Sequence, residues 1–298
     1  MNEQPVVSII MPCYNDGQYL QQAISSCLQQ TFQSIELIIV DDGSDDDCTI
    51  STLKTLLDPR ITILHANHIG PSGARNTAIQ HAKGRYILPL DADDWIDPKY
   101  IEHAVKILDA RADVGIVYCR AYLFGEKEGI WHLPEYSLEN ILLDNCIFIT
   151  ALFRKADWQT VGGFSEEFNH GLEDYDFWLS MIERGRTVYQ FPDVWFHYRI
   201  KKSSRSTQMV SSIDQTTATY KLLYQRHKGL YMQHIDEYIL GLRRALIEQK
   251  MLHGNNAAQG ADPVAEYWQT LRLLKPKIAK RIESLLPIKD KIKRWLHR

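Results

Sequence analysis

The chain has 298 residues, enough for one large α/β domain or for a domain with an appendage. It is 45% hydrophobic and 24% charged, ordinary for a soluble protein, and its formal net charge of -3 argues against a general nucleic-acid binder. Its five cysteines, at 13, 27, 48, 119 and 146, are odd in number and lack CxxC spacing, which fits reduced cytosolic thiols and disfavours a zinc module.

The opening "MNEQPVVSIIMPCYND" has no basic stretch before its apolar run and no small-residue cleavage pattern. It reads as a strand rather than an export signal. No uninterrupted apolar stretch approaches about 18 residues, so no spanning helix is expected. Residues 6–11 form the first strand, ending at Pro12. "DGQYLQQAISSCLQQTF" then sets Leu20, Ala23, Ile24, Cys27 and Leu28 at helical spacing, with Asp16 as N-cap. "IELIIV" (35–40) is a continuous apolar strand of the kind buried on both faces. A helix around 47–57, a strand at 61–66, a helix opening near Ser72 and a strand at 85–91 follow. Asp97 begins the next helix with Pro98 at its first position, and 115–124 is a fifth strand. The alternation predicts an α/β fold with a Rossmann-like, mostly parallel sheet flanked by helices. From about Ile130 the pattern turns aromatic and mixed, and the strand-like "TVYQFPDVWFHYRI" closes it near residue 200. Residues after 205 read as helices, interrupted at 253–263 by "HGNNAAQGADP".

Two acid clusters follow predicted strands. "VDDGSDDDC" packs five aspartates between Asp41 and Asp47, and "LDADDW" sets Asp91, Asp93 and Asp94 after Leu90. Sheets of this class bind ligands at the carboxyl ends of their strands. In an extended "DADD", Asp91 and Asp93 share a face and Asp94 points away. Two carboxylates a few Å apart repel by roughly 4 kcal/mol at surface-like dielectric. A divalent Mn²⁺ or Mg²⁺ removes that cost, and such ions take one or two carboxylates plus substrate phosphate oxygens. The bland alternative, acids that cap a helix and face water, fits a lone DxD better than two acid-ended strands. An EF-hand loop is excluded, because Gly43 stands third from Asp41 and Thr52 occupies the twelfth place. Asp41 can instead accept a hydrogen bond from a base ring N–H, with Asp42 or Gly43 at ribose hydroxyls. Asp45 to Asp47 are read as caps of the next helix.

The segments "VSIIMPCYND", "ELIIVDDGSDD", "GPSGARNTAI", "GRYILPLDADDW" and "GGFSEEF…GLEDYDFWL" stand in the order and spacing of the family 2 glycosyltransferases, which the chain resembles over about residues 5–200. The resemblance implies a GT-A fold and an inverting sugar transfer from a nucleotide-sugar. On it, residues 1–205 are the catalytic domain, with 1–125 the nucleotide-sugar half and 126–205 the acceptor half. Pro12, Tyr14 and Asn15 shape the loop under the nucleotide, with Tyr14 stacking on the base. Asp41 reads the base, which favours uracil and a UDP-sugar, and Asp42 lies beside it. Arg75 neutralises the diphosphate, with an ordinary helix-surface arginine as the equal alternative. Asp91 and Asp93 hold the metal and ribose, and Asp94 is a candidate direct ligand. In "GLEDYDFWL", Asp174 is the base that takes the acceptor hydroxyl proton, with Glu173 its neighbour. Helix capping by the same acids is the plainer alternative, and Phe177 and Trp178 read as core.

One position departs from the family pattern. Where a histidine often follows "YR" by two residues, this chain has Lys201, which leaves a third protein metal ligand in doubt and suggests a phosphate contact instead. His197 would face elsewhere, and His65 and His68 lack metal-ligand company. Residues 206–298 form a helical C-terminal region. From Arg272 onward, ten Lys/Arg against Glu283 and Asp290 give a formal +8 interleaved with Ile278, Ile282, Leu285, Ile292 and Trp295. Residues 272–298 thus read either as a peripheral membrane contact on the inner face of the cell membrane, in an otherwise cytoplasmic protein, or as a packed appendage, a homo-oligomer contact included. The expected partners are a nucleotide-sugar donor and a glycan or lipid-linked acceptor, in bacterial cell-surface polysaccharide or lipopolysaccharide synthesis. A non-catalytic nucleotide-sugar binder and a sugar nucleotidyltransferase are the alternatives. The second lacks its glycine-rich basic loop after the first strand, and a dehydrogenase would need an absent GxGxxG.

Overall fold

The computed structural model describes residues 4–202 and 212–253. Four parallel strands form one side of the sheet: β1 (Val7–Cys13), β2 (Ile35–Asp41), β3 (Ile61–His65) and β4 (Tyr86–Pro89), in the order β3-β2-β1-β4. They are linked by α1 (Gly17–Leu28), α2 (Asp47–Lys54) and α3 (Gly70–His81). Every residue of β2 is buried, as a strand covered on both faces requires, and its one inner charge, Glu36, accepts from Ser8 Oγ and Lys83 N, both at 2.6 Å. α1 buries Leu20, Ala23, Ile24 and Cys27, the stripe its spacing predicts. Asp46 caps α2 by accepting from Thr49 N at 2.8 Å, as the acid run there led one to expect.

The parallel run stops at β4. The short β8 (Leu152–Arg154) joins β4 antiparallel, followed by β6 (Val114–Gly125), the long β9 (Thr187–Ile200) and the two-residue β5 (Trp95–Ile96). β7 (Gly129–Trp131) folds back on β6 as a hairpin. β6 and β9 are parallel partners, so the sheet is α/β as expected but turns mixed in its second half. α4 (Tyr100–Ala110) begins three residues after Asp97, not at Pro98. The Asp97 backbone N donates to Trp195 O at 2.8 Å and its carboxylate lies 3.0 Å from His197 Nε2. That ladder holds the chain extended past β5, and the helix starts only once it is free.

The second half adds α5 (Leu138–Leu143), α6 (Lys155–Val161) and α7 (Glu173–Glu183). Phe177 and Trp178 are fully buried, and Trp178 Nε1 donates to Ile147 O at 3.0 Å. The C-terminal region opens with α8 (Ile213–Arg226), α9 (Lys228–Gln233) and α10 (Ile235–His253). The chain divides into two units, residues 1–241 and 242–298, and within the first α8 is tied to α7. The tie is an ion cluster under α7. His227, 2% exposed, sets Nε2 3.0 Å from Asp176 Oδ1, and Arg226 Nε donates to the same oxygen at 2.7 Å. Leu223, Leu230 and Tyr231 complete the seam with apolar surface. Residues 272–298, read as a basic amphipathic tail, lie outside the described residues. Among the described residues no helix is long and apolar enough to cross a membrane.

Candidate functional site

The carboxyl ends of β1, β2 and β3 carry the first group of predicted residues. Tyr14, 43% exposed, follows β1 and Pro12, and its ring lies 4.6 Å from that of His68 on the β3–α3 loop. Asn15 adopts φ +56° and grips the next loop: its Nδ2 donates to Asp45 Oδ1 at 2.7 Å, and its Oδ1 accepts from Asp45 N at 3.0 Å. Asp41 closes β2 almost buried, accepting from Ser44 N at 3.0 Å, with His65 Nδ1 3.1 Å from its second oxygen. Asp42 uses both oxygens to accept from Ile69 N and Gly70 N, at 2.7 and 2.8 Å. It therefore pins the entrance of α3, a structural task for a residue expected at the ribose. His65 and His68, read as ordinary, both border this group. The signal for His65 is the strand register, which pairs Asp41 with His65.

"DADD" is a turn, not an extended strip: Asp94 N donates to Asp91 O at 3.1 Å. The turn separates the acids by burial. Asp91 and Asp93 keep 31% and 15% of their side-chain surface, while Asp94 is 1% exposed. Asp94 Oδ1 accepts from Arg199 N at 2.7 Å, whereas its Oδ2 is buried with no hydrogen-bond partner among the described residues. Arg199 also donates from Nε to Asp93 O at 2.9 Å, its guanidinium flanked by the rings of Tyr19 and Phe124 at 4.2 and 4.3 Å. Lys201 reaches in beside it, with Nζ 2.7 Å from Asp93 Oδ2 and 3.0 Å from Asp16 Oδ1. Asp16 stands at the predicted N-cap of α1 but makes no side-chain cap bond, because its carboxylate is turned to that ammonium. Burial first, then Asp91, raises the Asp93 carboxyl above its ordinary range, against the pull of Lys201. Asp94 is raised further, by burial and then by Asp93 and Asp91.

Arg75, from α3, is 3% exposed, so it is not a helix-surface arginine. One guanidinium nitrogen donates to Asp91 Oδ1 and another to Glu173 Oε1, both at 2.7 Å. Burial alone would lower its pKa, but Asp91 and Glu173 outweigh that and hold it above the ordinary arginine value. It links the acid turn to the first residue of α7. Asp174 follows, half-buried, with Oδ1 accepting from Tyr175 N at 2.7 Å. α7 is entered through Leu172 at φ +69°, a left-handed conformation that a bulky residue adopts at a cost of about 1–3 kcal/mol. Asn15 and His68, both at φ +56°, border the same region. Such bends persist where the surroundings over-determine them, which is the condition of a preorganised site.

The donor set fits a hard divalent cation. Two part-exposed carboxylates, Asp91 and Asp93, stand in one turn, each with a side-chain cation on one oxygen, Arg75 on Asp91 Oδ1 and Lys201 on Asp93 Oδ2, and Asp94 has an orphaned buried oxygen beside them. Among the described residues no three His, Cys, Asp or Glu side chains are grouped to hold a metal ion. Asp94 as a direct ligand is the weakest part of that expectation, because one oxygen is committed to β9 and the residue is buried.

The glycosyl transferase family 2 model matches residues 8–168, which take in the first four motifs. The UDP-Glc:alpha-D-GlcNAc-diphosphoundecaprenol beta-1,3-glucosyltransferase WfgD of Escherichia coli is 34% identical over 207 residues, covering 68% of this chain and 80% of that protein. Among solved structures, S. aureus TarS 1-349 in complex with UDP-GlcNAc superposes with a TM-score of 0.66 at 19% identity, over 85% of this chain and 76% of that one. The mannosyltransferase PcManGT of Pyrobaculum calidifontis, solved with GDP-Man and Mn²⁺, gives 0.57 at 20% identity, over 97% and 89%.

Proposed function

Because this chain belongs to glycosyl transferase family 2, we propose that it moves one sugar, with inversion, from a UDP-sugar to a hydroxyl of a glycan or glycolipid acceptor in surface polysaccharide or lipopolysaccharide synthesis. The observation that carries the reading is the junction at Arg75, where the acid turn and the start of α7 meet on one guanidinium. The donor side and the helix bearing the candidate base are thereby held in fixed relation.

In this reading Tyr14 offers an exposed ring face to the base, and Asp41 accepts from the ring N–H of a uracil. A Mn²⁺ or Mg²⁺ ion held at Asp91 and Asp93 would supply positive charge to the departing diphosphate. Asp174 takes the proton of the acceptor hydroxyl as its oxygen attacks the anomeric carbon from the face opposite the diphosphate. Glu173, bound to Arg75, orients the first turn of α7.

The test begins by screening UDP-, GDP- and dTDP-sugars for metal-dependent thermal stabilisation, since a ligand of the folded state raises its melting point by mass action. The stabilising donor should then be slowly hydrolysed by the wild type and not by Asp93→Ala. Asp174→Asn should cut transfer to a true acceptor by about 10² to 10⁴, the usual worth of a positioned base. Full transfer by Asp174→Asn would remove the base assignment. Binding without any turnover would favour the non-catalytic nucleotide-sugar binder.

A further inference from the structure

Lys201 lies between two acids from opposite ends of the donor half, Asp16 after β1 and Asp93 in the acid turn, at 3.0 and 2.7 Å. An ammonium has three N–H donors and no acceptor. Two of the three are engaged by those carboxylates, and the third has no hydrogen-bond partner among the described residues. The side chain keeps 26% of its surface, and Nζ passes 5.6 Å from the Tyr19 ring, whose other near cation is Arg199. Lysine carries a compact charge on a flexible four-carbon stem, so the ammonium can adjust its third proton without releasing the first two. Of the other cations at the turn, Arg75 is committed to Asp91 and Glu173, and Arg199 donates to Asp93 O and Gln22 Oε1, while Lys201 has a donor to spare among the described residues.

We propose that Lys201 is a donor-binding residue that offers its third N–H to the diphosphate of the nucleotide, while its other two hold Asp16 and Asp93 beneath it. This deepens the reading above and rests on it. A cation tethered to the chain would let the nucleoside diphosphate bind even where no divalent ion is present. The bond would be charge-assisted on both sides, so its loss should weaken binding by roughly tenfold to a hundredfold.

The experiment measures equilibrium binding of UDP and of uridine, with GDP and guanosine in parallel, to the full chain in EDTA and again with Mn²⁺. The variants are Lys201→Met and Lys201→Arg, each checked for an unchanged melting point. The proposal expects Lys201→Met to lose at least tenfold in affinity for the diphosphate in EDTA, to bind the nucleoside as the wild type does, and to be largely rescued as Lys201→Arg. Equal diphosphate affinity in wild type and Lys201→Met would overturn it. An equal loss for nucleoside and diphosphate would also overturn it, since that marks a residue that only holds the loops together. Should the wild type bind none of the four compounds under either condition, the nucleotide-sugar reading falls and takes this inference with it.

Discussion

Replacing Arg75 with methionine tests the junction on which the site is built. The guanidinium is 3% exposed and bonds Glu173, 8% exposed, and Asp91, 31% exposed, each at 2.7 Å. Removing one partner of a buried pair costs about 3–5 kcal/mol, because the other charge is left without compensation. Asp91 can recover water, so most of the loss comes from Glu173, and the lower end, about 3 kcal/mol, is the better figure. At about 2–4 °C per kcal/mol for a chain of this size, the melting point should fall by roughly 6–12 °C. Urea and thermal denaturation both read this directly. The companion variant Arg75→Met with Glu173→Gln removes the stranded charge and should regain at least half of the loss. A single Arg75→Met within about 0.5 kcal/mol of wild type would refute the reasoning, since it would place the measured effect among ordinary surface substitutions.

Two further predictions concern the scaffold. Burial lowers the His227 pKa, but Asp176 and Glu183 outweigh it, so the imidazole titrates above its ordinary 6.5. Its Nδ1 lies 3.2 Å from Glu183 Oε1, an ion-pair distance without hydrogen-bond alignment. The stability this group lends is complete below 6.5 and disappears as pH rises through the raised value. The urea midpoint should therefore drop as pH rises above 6.5, and His227→Gln should flatten that slope; an unaltered slope removes His227 as its cause. Gly17→Ala would set a Cβ 2.2 Å from Thr49 N, a backbone atom of α2, so the two helices must part. A destabilisation of about 1–3 kcal/mol is expected from such overpacking, and chemical denaturation with no loss would contradict the close approach.

The first half of the fold was readable because its signals are local. Largely apolar runs mark β1, β2 and β4, and helical spacing marks α1, with no need of a tertiary contact. β8 and β5 were not found, since strands of three and two residues carry too little pattern to stand out. The acids of the site were legible as clusters, but their roles were not. Asp42 and Asp94 look like their neighbours in sequence, yet the fold turns them to backbone N–H groups of Ile69, Gly70 and Arg199. Arg75 appeared to face either substrate or water because nothing nearby announced Glu173 as its partner, 98 residues away. Asp16 followed the same course, since capping is the local option and Lys201 the remote one.

The distance of those remote partners affects how the protein comes into being during synthesis. The aspartates of the acid turn emerge from the ribosome about a hundred residues ahead of Arg199, which is 105 positions from Asp94, and of Lys201 beyond it. Until β9 has been made and laid against β6, the turn has only Arg75 to offset its charge. A nascent chain halted short of residue 199 would thus carry a nearly finished parallel half whose working edge is still open and repelling itself. The last described strand brings Arg199 N to Asp94 and is followed by Lys201 at Asp93, and with them the acid turn has its full set of partners.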